Sequence, residues 1–360
     1  MWNKRHKTIL ALGADIKNRF LLTNGGLLHF GPDIGDLSEA ENFELFKREV
    51  RKAVKDIKPD IIACDLHPNY FSSLFAKECS LQLKAHSLEP IQHHHAHVAS
   101  VMQEHNLKGQ VLGVSFDGTG YGQDGNSWGG EFLLVDRSGF KRLAHLKYRM
   151  MPGGDKVTRE PWRMALSILG KKAVSFMCEV DRKDKQTILF MMAKNINSPL
   201  TSSAGRLFDA AAALLGVCVY ASYEAEGPIK LEAMCDKKVE GYYKFSVFKK
   251  GSNLVIDTDE MFSGMLKDLK KGKNKRLIAT RFHNSMAEIV VGMVKKLSRS
   301  FGIKDIALSG GVFQNNFLKN KVVAGINDSG MKVFTNIQTP VNDLNISLGQ
   351  YYVSCCSGKS

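Results

Sequence analysis

The sequence lacks the features that mark zinc fingers, membrane spans and secreted chains. None of its 7 cysteines forms a CxxC pair, which excludes the usual zinc-finger spacing. The longest apolar run, residues 211–221, is far shorter than the ~20 residues that a membrane-spanning helix needs. The basic and then apolar start resembles a signal peptide, but it runs into Asp15 and Lys17 without a convincing cleavage site. We therefore expect a cytoplasmic protein with reduced thiols and no membrane partner.

Several enzyme signatures are also missing. The chain has no Walker loop, no GxGxxG fingerprint and no GxSxG elbow, and no cysteine stands in an evident cysteine–histidine arrangement. P-loop hydrolases and dinucleotide oxidoreductases are therefore disfavoured, and no nucleophile is identified. If the protein transfers a group, we expect the attacking atom to belong to the acceptor, while the chain supplies a metal and electrostatic stabilisation.

The composition is that of a globular protein with an excess of positive charge. With 44% hydrophobic and 24% charged residues, the 360-residue chain is unlike disordered, collagen-like or disulfide-scaffold proteins. Its length predicts two domains of ordinary size. The net charge of +14 favours acidic partners, whether nucleotides, nucleic acid or an acidic protein, and does not choose among them.

Alternating strand and helix patterns predict an α/β fold. Residues 8–28 have the pattern of a strand, a polar turn and a strand, and residues 61–64 have that of a short buried strand. Between them, residues 38–57 repeat apolar side chains at helical spacing, with Ser38 and Glu41 placed as a capping box. A strand, a helix and another strand in this order are typical of α/β proteins.

The pattern restarts near residue 111, which predicts a second lobe. A strand at 111–114 is followed by a glycine-rich turn at 117–130 and a returning strand at 131–136. Each half thus begins with a hairpin whose turn carries an aspartate, as expected of two similar lobes with a cleft between them.

The restart also sets the domain boundaries. We assign residues 1–110 to an N-terminal lobe and residues 111–343 to a C-terminal lobe with helical insertions. We expect residues 344–360 to form a helix that packs back on the first lobe.

A run of histidines is the densest chemical signal. In the predicted helix at 93–105, His93 and His97 are four residues apart and share a face, a usual way to offer two imidazoles to one metal. Two imidazoles are an incomplete set, and acidic residues at strand ends, Asp117 and Asp343, are candidates for the other ligands. Two imidazoles with two carboxylates suit one divalent ion, zinc or iron, and the residues do not say which.

Two glycine-rich turns are candidate phosphate cradles. Residues 117–122 (DGTGYG) follow a strand, and their glycines let backbone N–H groups turn toward an anion. Residues 309–311 (SGG) lie between a strand and a predicted helix at 313–323, whose N-terminus adds a partial positive charge. Two such turns, each at the carboxyl end of a strand, favour a nucleotide in the cleft.

These residues belong to a series of motifs that resembles the C-terminal transferase domain of the HypF family. The matching stretches run nearly end to end and keep their order: LALGADIKN, CDLHPNY, QHHHAHVAS, FDGTGYGQDGNSWGGE, MPGGD, REPWRMAL, TSSAGRLFDAAAALLG, RFHNSMA, LSGGVFQNNFL and VNDLNISLGQ. The resemblance implies two actin-like lobes of the ASKHA, RNase H-like type. It also places the chain near the threonylcarbamoyl-tRNA synthases and the antibiotic O-carbamoyltransferases.

The resemblance implies a set of site residues. The family's metal ligands fall on the same four residues that the local patterns select, His93, His97, Asp117 and Asp343. Asp209 and Asn315 match positions that hold the sugar and adenine side of a nucleotide. The full set of implied nucleotide-binding residues is Gly118, Thr119, Gly120, Gly205, Asp209, Gly227, Gly310, Gly311, Gln314 and Asn315.

The implied activity is the carbamoyl transfer of [NiFe]-hydrogenase maturation. ATP or carbamoyl-adenylate binds in the cleft, a metal orients the phosphate and carbamoyl groups, and the C-terminal cysteine thiolate of HypE attacks the carbonyl as AMP leaves. The S-carbamoyl group is the precursor of the cyanide ligand. The family's acylphosphatase, zinc-finger and adenylate-forming regions have no counterpart in this sequence. We therefore expect either an excised domain or a stand-alone homologue that depends on a separate carbamoyl-adenylate-forming protein.

Two departures from the family pattern keep other functions open. Residues 224–228 are EAEGP, where the family usually has EGQAA. Residues 343–345 are DLN, where DGG is expected, so two larger side chains follow the proposed ligand Asp343. One alternative is O- or N-carbamoyl transfer to a small molecule or a tRNA. The HHHAH and DGTGYG strings match HypF better than they match the tRNA enzymes, so a nucleic acid partner is disfavoured. The other alternative is a nucleotide-binding module without catalysis.

Overall fold

The computed structural model describes residues 7–176 and 178–356 and has a mixed α/β fold built on two sheets. The first sheet pairs its strands in the order β3-β2-β1-β4-β5, antiparallel at β1–β2–β3 and parallel at β1–β4–β5. Its strands are β1 (Ile9–Ala11), β2 (Leu21–Asn24), β3 (Leu27–Phe30), β4 (Ile61–Asp65) and β5 (Ser87–Ile91).

Two helices cover one face of the first sheet. In α1 (Ala40–Ala53) and α2 (Phe71–Leu83), the buried rings of Phe46 and Phe75 meet the apolar side chains of the strands. The capping box predicted for α1 is wrong. The helix begins after Glu39 without a side-chain cap, because the Ser38 backbone N–H donates to the Asp36 carboxylate instead.

The second sheet is longer and continues the chain from residue 111. Its path is β11-β12-β8-β7-β6-β13-β14, and β10 joins β7 to β9 off that path. The strands are β6 (Val111–Tyr121), β7 (Ser127–Asp136), β8 (Gly139–Leu146), β9 (Arg149–Met150), β10 (Leu200–Thr201), β11 (Ser246–Lys250), β12 (Asn253–Asp257), β13 (Asp305–Ser309) and β14 (Lys332–Thr335).

The glycine-rich segment after residue 116 is strand rather than the turn predicted for 117–130. β6 continues to Tyr121 and β7 begins at Ser127, so the hairpin turn is confined to residues 122–126. The ladder pairs Phe116 with Gly130 and Gly120 with Trp128, which leaves residues 117–119 opposite a single partner residue. This β-bulge bends the strand and redirects the side chains of 117–119 out of the ladder.

Two helices, α3 (His93–Glu104) and α12 (Ile346–Cys356), cross between the sheets. The buried side chains of α3 pack on β6, β7 and β13, while Ile346 and Leu348 of α12 pack on the first sheet. The crossing is close: a Cβ at Gly349 would lie 2.5 Å from the carbonyl carbon of Ala96. Of the predicted C-terminal helix, residues 357–360 lie outside the described residues, and the boundary at residue 110 stays a prediction.

The remaining helices cover the second sheet. They are α4 (Lys156–Arg159), α5 (Trp162–Leu169), α6 (Arg182–Ala193), α7 (Ala204–Leu214), α8 (Glu226–Ala233), α9 (Asp259–Lys270), α10 (Lys275–Phe301) and α11 (Asn316–Asn327). The helix predicted at 313–323 begins at Asn316, after a 3₁₀ turn over Gly311–Gln314, so its N-terminus is displaced from the SGG turn. Within the described part of the chain, no helix is both long and apolar enough to cross a bilayer.

Candidate metal and nucleotide site

Four side chains from distant parts of the sequence converge between the two sheets. His93 Nε2 lies 3.3 Å from Asp117 Oδ2 and 3.7 Å from Asp343 Oδ1. His97 Nε2 lies 3.5 Å and 3.6 Å from the same two oxygens. All four atoms lie within 4.8 Å of one another, and the two histidines are fully buried. The structure thus brings together the four residues predicted as metal ligands.

Three local structures aim these side chains at one point. The first turn of α3 presents both imidazoles, and its N-cap, Gln92, accepts a hydrogen bond from the His95 backbone N–H. The β-bulge turns Asp117 out of the β6–β7 ladder toward them. Asp343 opens a short 3₁₀ turn whose N-cap, Asn342, accepts from the Leu344 N–H. Helix start, bulge and turn are each stabilised by local hydrogen bonds, so the cluster is held by backbone geometry.

Neighbouring groups occupy the far side of three of the four ligands. His93 Nδ1 lies 2.7 Å from Asp65 Oδ2, and His97 Nδ1 lies 2.9 Å from Asn345 Oδ1. The Gly311 backbone N–H donates to Asp117 Oδ1 at 2.9 Å, which leaves Oδ2 to face the imidazoles. Both Nε2 atoms are buried and have no hydrogen-bond partner. Orphaned imidazole nitrogens opposite carboxylate oxygens fit a divalent ion, because each ligand is oriented through its other polar atom.

The electrostatics of the cluster favour charged carboxylates. Burial alone would raise the pKa of Asp117 and Asp343, but the proximity of the two imidazoles lowers both, that of Asp343 to about 2. Burial lowers the pKa of His93, and the charge of Asp65 with the carboxylates facing Nε2 raises it well above its ordinary value. Both carboxylates are therefore ionised at neutral pH, the state in which they bind metal.

The other two histidines of the run have different surroundings. His94 Nδ1 lies 3.1 Å from the side-chain amide of Gln92, and burial lowers its pKa to about 3. His95 packs against the ring of Phe140. Helical spacing thus separates His94 and His95 from the ligand pair, as expected for residues that do not share its face.

A cavity of about 380 Å³ opens beside the cluster, a size that suits a small-molecule ligand. Asp117 and Asp343 form part of its wall. Of the residues predicted to bind nucleotide, those that line it are Gly118, Thr119, Gly205, Gly311, Gln314 and Asn315.

The other predicted nucleotide residues do not line this cavity. Asp209 is buried and accepts a hydrogen bond from Arg206 Nε at 2.7 Å. Gly120 and Gly227 provide close packing, since a Cβ would lie 2.5 Å from His94 Cε1 in one case and 2.9 Å from Ala212 Cβ in the other. Gly310 has a φ of 99° and lies against the Phe116 backbone, where a side chain has no room.

The SGG turn does not form the phosphate cradle expected of it. The Gly310 N–H donates to the Val341 carbonyl and the Gly311 N–H to Asp117, so both donors are already used. The helix whose N-terminus reaches the cavity is instead α7. Gly205 in its first turn lies so close to the bulge that a Cβ would be 2.9 Å from Gly118 Cα. The partial positive charge of a helix N-terminus therefore enters the cavity from α7.

Three basic side chains on the cavity wall were not predicted. Lys17 reaches across from the first hairpin to an ion pair with Glu224, and Arg206 and Arg159 lie on the other side. Arg206 also donates to the Gly118 carbonyl. These three residues lie in stretches that match the family motifs, but single basic residues have no spacing pattern that indicates a binding role, and only the fold brings them together.

Comparison with known families places this site in context. Residues 4–104 match the family model described as "HypF Kae1-like domain". Residues 113–350 match the one described as "Carbamoyltransferase, Kae1-like Domain, second subdomain". The chain belongs to the HypF carbamoyltransferase family. The sequence-based assignment to this family is confirmed.

Individual relatives agree with the family match. The chain is 34% identical to the "Carbamoyltransferase HypF homolog" of Cupriavidus necator, covering 97% of this chain and 92% of that protein. It is 32% identical to the "Probable carbamoyltransferase HypF" of Methanocaldococcus jannaschii, covering 96% of this chain but only 46% of that protein. The chain thus spans most of one curated HypF relative and about half the length of another.

Solved HypF structures share the fold. A full-length HypF crystallised in a phosphate- and nucleotide-bound form superposes with a TM-score of 0.93 at 34% identity, covering 98% of this chain and 47% of that one. HypF of T. kodakarensis gives a TM-score of 0.89 at 31% identity, covering 98% of this chain and 48% of that one. The predicted α/β fold with two actin-like lobes is confirmed.

Proposed function

We propose that the chain transfers the carbamoyl group of carbamoyl-adenylate to a cysteine thiolate, the C-terminal cysteine of HypE in [NiFe]-hydrogenase maturation. One observation carries the proposal: two buried imidazoles and two ionised carboxylates converge at the wall of a nucleotide-sized cavity. The family membership supports the carbamoyl chemistry. The nucleotide seen in a related full-length HypF supports a nucleotide as the bound substrate.

The chain's own residues would hold the substrate by charge and shape. The N-terminal end of α7 and the side chain of Arg206 make one side of the cavity favourable for a phosphate, and Lys17 adds a positive charge from the first hairpin. The bulge at Gly118 and Thr119 leaves room for that group because neither the glycine nor its neighbour Gly205 carries a bulky side chain. Apolar side chains, Val312, Ile229 and Phe208, line the rest of the wall and suit a nucleobase.

His93, His97, Asp117 and Asp343 would hold one divalent ion, and two nitrogen and two oxygen ligands suit zinc or ferrous iron. When bound, such an ion supplies Lewis-acid polarisation and neutralises negative charge next to the cavity. Asp65 and Asn345 keep the two imidazoles oriented toward it. The two imidazoles are fully buried, whereas Asp117 and Asp343 face the cavity.

The proposed reaction balances without a redox partner. The acceptor thiol first loses its proton to solvent, and the thiolate attacks the carbamoyl carbon of carbamoyl-adenylate. A carbon–sulfur bond forms, the bond from that carbon to the phosphate oxygen breaks, and AMP leaves with the electron pair. The products are an S-carbamoyl cysteine and AMP. We further propose that a separate protein supplies carbamoyl-adenylate and that the reaction takes place in the cytoplasm.

The test supplies carbamoyl-adenylate and a HypE acceptor and measures carbamoylation by mass spectrometry. We expect His93→Ala and Asp117→Ala to stay folded and to lose transfer by at least 100-fold, since each removes a ligand. The control is His105→Ala at the end of the same helix, which should transfer at the wild-type rate. Undiminished transfer in both ligand variants would exclude the metal-site proposal.

The acceptor is tested in the same assay. Transfer to a tRNA or a small-molecule hydroxyl, with none to HypE, would contradict the proposed acceptor while keeping the carbamoyl chemistry. Nucleotide binding without AMP release in the presence of every acceptor would identify a binding module instead of an enzyme.

A further inference from the structure

A chain of hydrogen-bonded polar groups, partly buried at one end and fully buried at the other, runs from the far end of α3 back to His97. It links Glu104, Asn336, Asn345 and His97, with Ser309 at its side. Asn345, Ser309 and His97 are fully buried.

Glu104 fixes the orientation of the Asn336 side-chain amide. Glu104 accepts hydrogen bonds from the backbone N–H groups of residues 337–339. Burial raises the pKa of Glu104, but these N–H donors and the Thr339 hydroxyl lower it further, so it is a carboxylate that can only accept. Asn336 must therefore turn its NH₂ toward Glu104, at 3.1 Å, and its Nδ2 also donates to Ser100 Oγ at 3.0 Å.

The orientation of Asn336 in turn fixes that of the Asn345 side-chain amide. With its NH₂ facing Glu104, Asn336 presents its carbonyl oxygen to Asn345. Asn345 Nδ2 donates to this oxygen at 3.0 Å and to Ser309 Oγ at 3.1 Å. The Asn345 carbonyl oxygen is left to face His97 Nδ1 at 2.9 Å. Because a carbonyl oxygen can only accept, Nδ1 carries the hydrogen and Nε2 keeps its lone pair.

We propose that Asn345 is a positioning residue of the metal site, which holds His97 in the tautomer and ring orientation that present the Nε2 lone pair to the cluster. The proposal rests on the proposed metal site. It explains why a side chain at residue 345 is tolerated beside a ligand: the added bulk fills the space behind His97 and bonds to it.

The two imidazoles are thereby supported differently. His93 is backed by the carboxylate of Asp65 at 2.7 Å, whereas His97 is backed by a neutral amide. A carboxylate behind a ligating imidazole raises its basicity more than an amide does. His97 is therefore the weaker donor of the pair, and a carboxylate at residue 345 should strengthen it.

Three variants separate positioning from general stability. Asn345→Gly removes the amide that backs His97. Asn345→Asp keeps an acceptor for His97 Nδ1, but its second oxygen faces Asn336 Oδ1, so the Ser309 hydroxyl must turn away from Asn336 to donate to it. Leu344→Ala, at the neighbouring departure from the pattern, is the matched control.

The measurement uses the full chain and Co²⁺ as the probe. Affinity is determined by competition with a chromophoric chelator, the visible absorption of bound Co²⁺ reports ligand geometry, and urea unfolding reports stability. We expect Asn345→Gly to bind Co²⁺ about 10- to 100-fold more weakly and to change the absorption spectrum. Asn345→Asp should bind Co²⁺ more tightly than Asn345→Gly, because its carboxylate still accepts from His97 Nδ1, and Leu344→Ala should bind as tightly as the wild type.

The outcomes distinguish the two proposals. If the wild type binds Co²⁺ and Asn345→Gly binds it equally well with the same spectrum, the role of Asn345 is refuted and the metal site stands. If the wild type itself does not bind Co²⁺, the metal site fails and the role of Asn345 fails with it. If Asn345→Gly does not fold, Asn345→Ala replaces it, since it also removes the acceptor for His97 Nδ1: Co²⁺ binding as tight as in the wild type, with the same spectrum, then refutes the proposal.

Discussion

The crossing of α3 and α12 at Gly349 should control both the stability of the protein and the geometry of the proposed site. A Cβ added at Gly349 would meet the Ala96 carbonyl oxygen first and would lie 2.5 Å from the carbonyl carbon, whereas ordinary contact begins at 3.4 Å, so one helix must move by more than about 1 Å. Because backbone atoms block the methyl group, we expect Gly349→Ala to destabilise the fold by about 3 kcal/mol, the upper end for overpacking.

The same displacement should reach the ligands. Ala96 lies between His93 and His97, so a shift of this turn moves both imidazoles relative to Asp117 and Asp343. A misplacement of about 1 Å at a reacting centre can lower the rate by about 100-fold, and we expect a loss of carbamoyl transfer of that size.

A second glycine offers a matched control. Gly292 lies inside α10, where an added Cβ has no atom within 4 Å. Gly292→Ala should therefore stabilise the protein, by about 1 kcal/mol from helix propensity alone, and leave transfer unchanged. Urea unfolding midpoints and transfer rates of both variants are the assay. Equal stability and activity of Gly349→Ala and the wild type would refute the reasoning about the crossing.

Two further predictions concern a buried ion pair and a strained residue. Glu131 is fully buried and accepts from Arg142 Nε at 2.6 Å, so Glu131→Gln should cost about 3 kcal/mol by removing the nearer of the two carboxylates that pair with Arg142; Asp124 remains at 3.5 Å. Burial raises the pKa of Glu131 but Arg142 lowers it further, to a net value below the ordinary one. The difference in unfolding free energy between the wild type and Glu131→Gln, measured by urea unfolding, should therefore have its full value at a pH above the unfolded-state pKa of Glu131. It should fall to zero as the pH is lowered through the folded-state pKa. A difference that does not change with pH would contradict this. Ala225, at the cavity edge, has a φ of 59°, a left-handed backbone conformation that glycine adopts more readily than alanine. Ala225→Gly should therefore stabilise the protein by about 1 kcal/mol and raise its melting temperature. A lower melting temperature would argue against backbone strain at this residue.

The four proposed ligands could be predicted because local patterns carry them. His93 and His97 are four apart on a helix, and Asp117 comes directly after the apolar run of β6, so each pattern shows where a side chain ends up relative to its own element. The groups behind the ligands could not be predicted. Asn345 is 248 residues from His97 in sequence, and only the crossing of distant elements brings the two into contact.

Some patterns had more than one structural solution. Glycines at 310 and 311 predicted an anion cradle, but the same glycines serve a turn whose N–H groups bind Val341 and Asp117. The glycines after residue 116 predicted a turn and form a bulged strand instead.

Helix α2 escaped prediction for a different reason. It has apolar side chains on both faces: Phe75 is buried, whereas Leu74 and Leu81 are exposed. Its apolar residues therefore show no clear helical period.

The central claim is that four side chains from distant segments bind one divalent ion at the edge of a nucleotide cavity. The most direct test is anomalous diffraction, at the metal absorption edge, from crystals of the chain grown with zinc or ferrous iron and AMP. The account predicts a single peak at ~2.0–2.2 Å from the Nε2 atoms of His93 and His97 and from one carboxylate oxygen each of Asp117 and Asp343, beside the nucleotide phosphate. Nucleotide bound elsewhere, with no peak between these four residues, would contradict it.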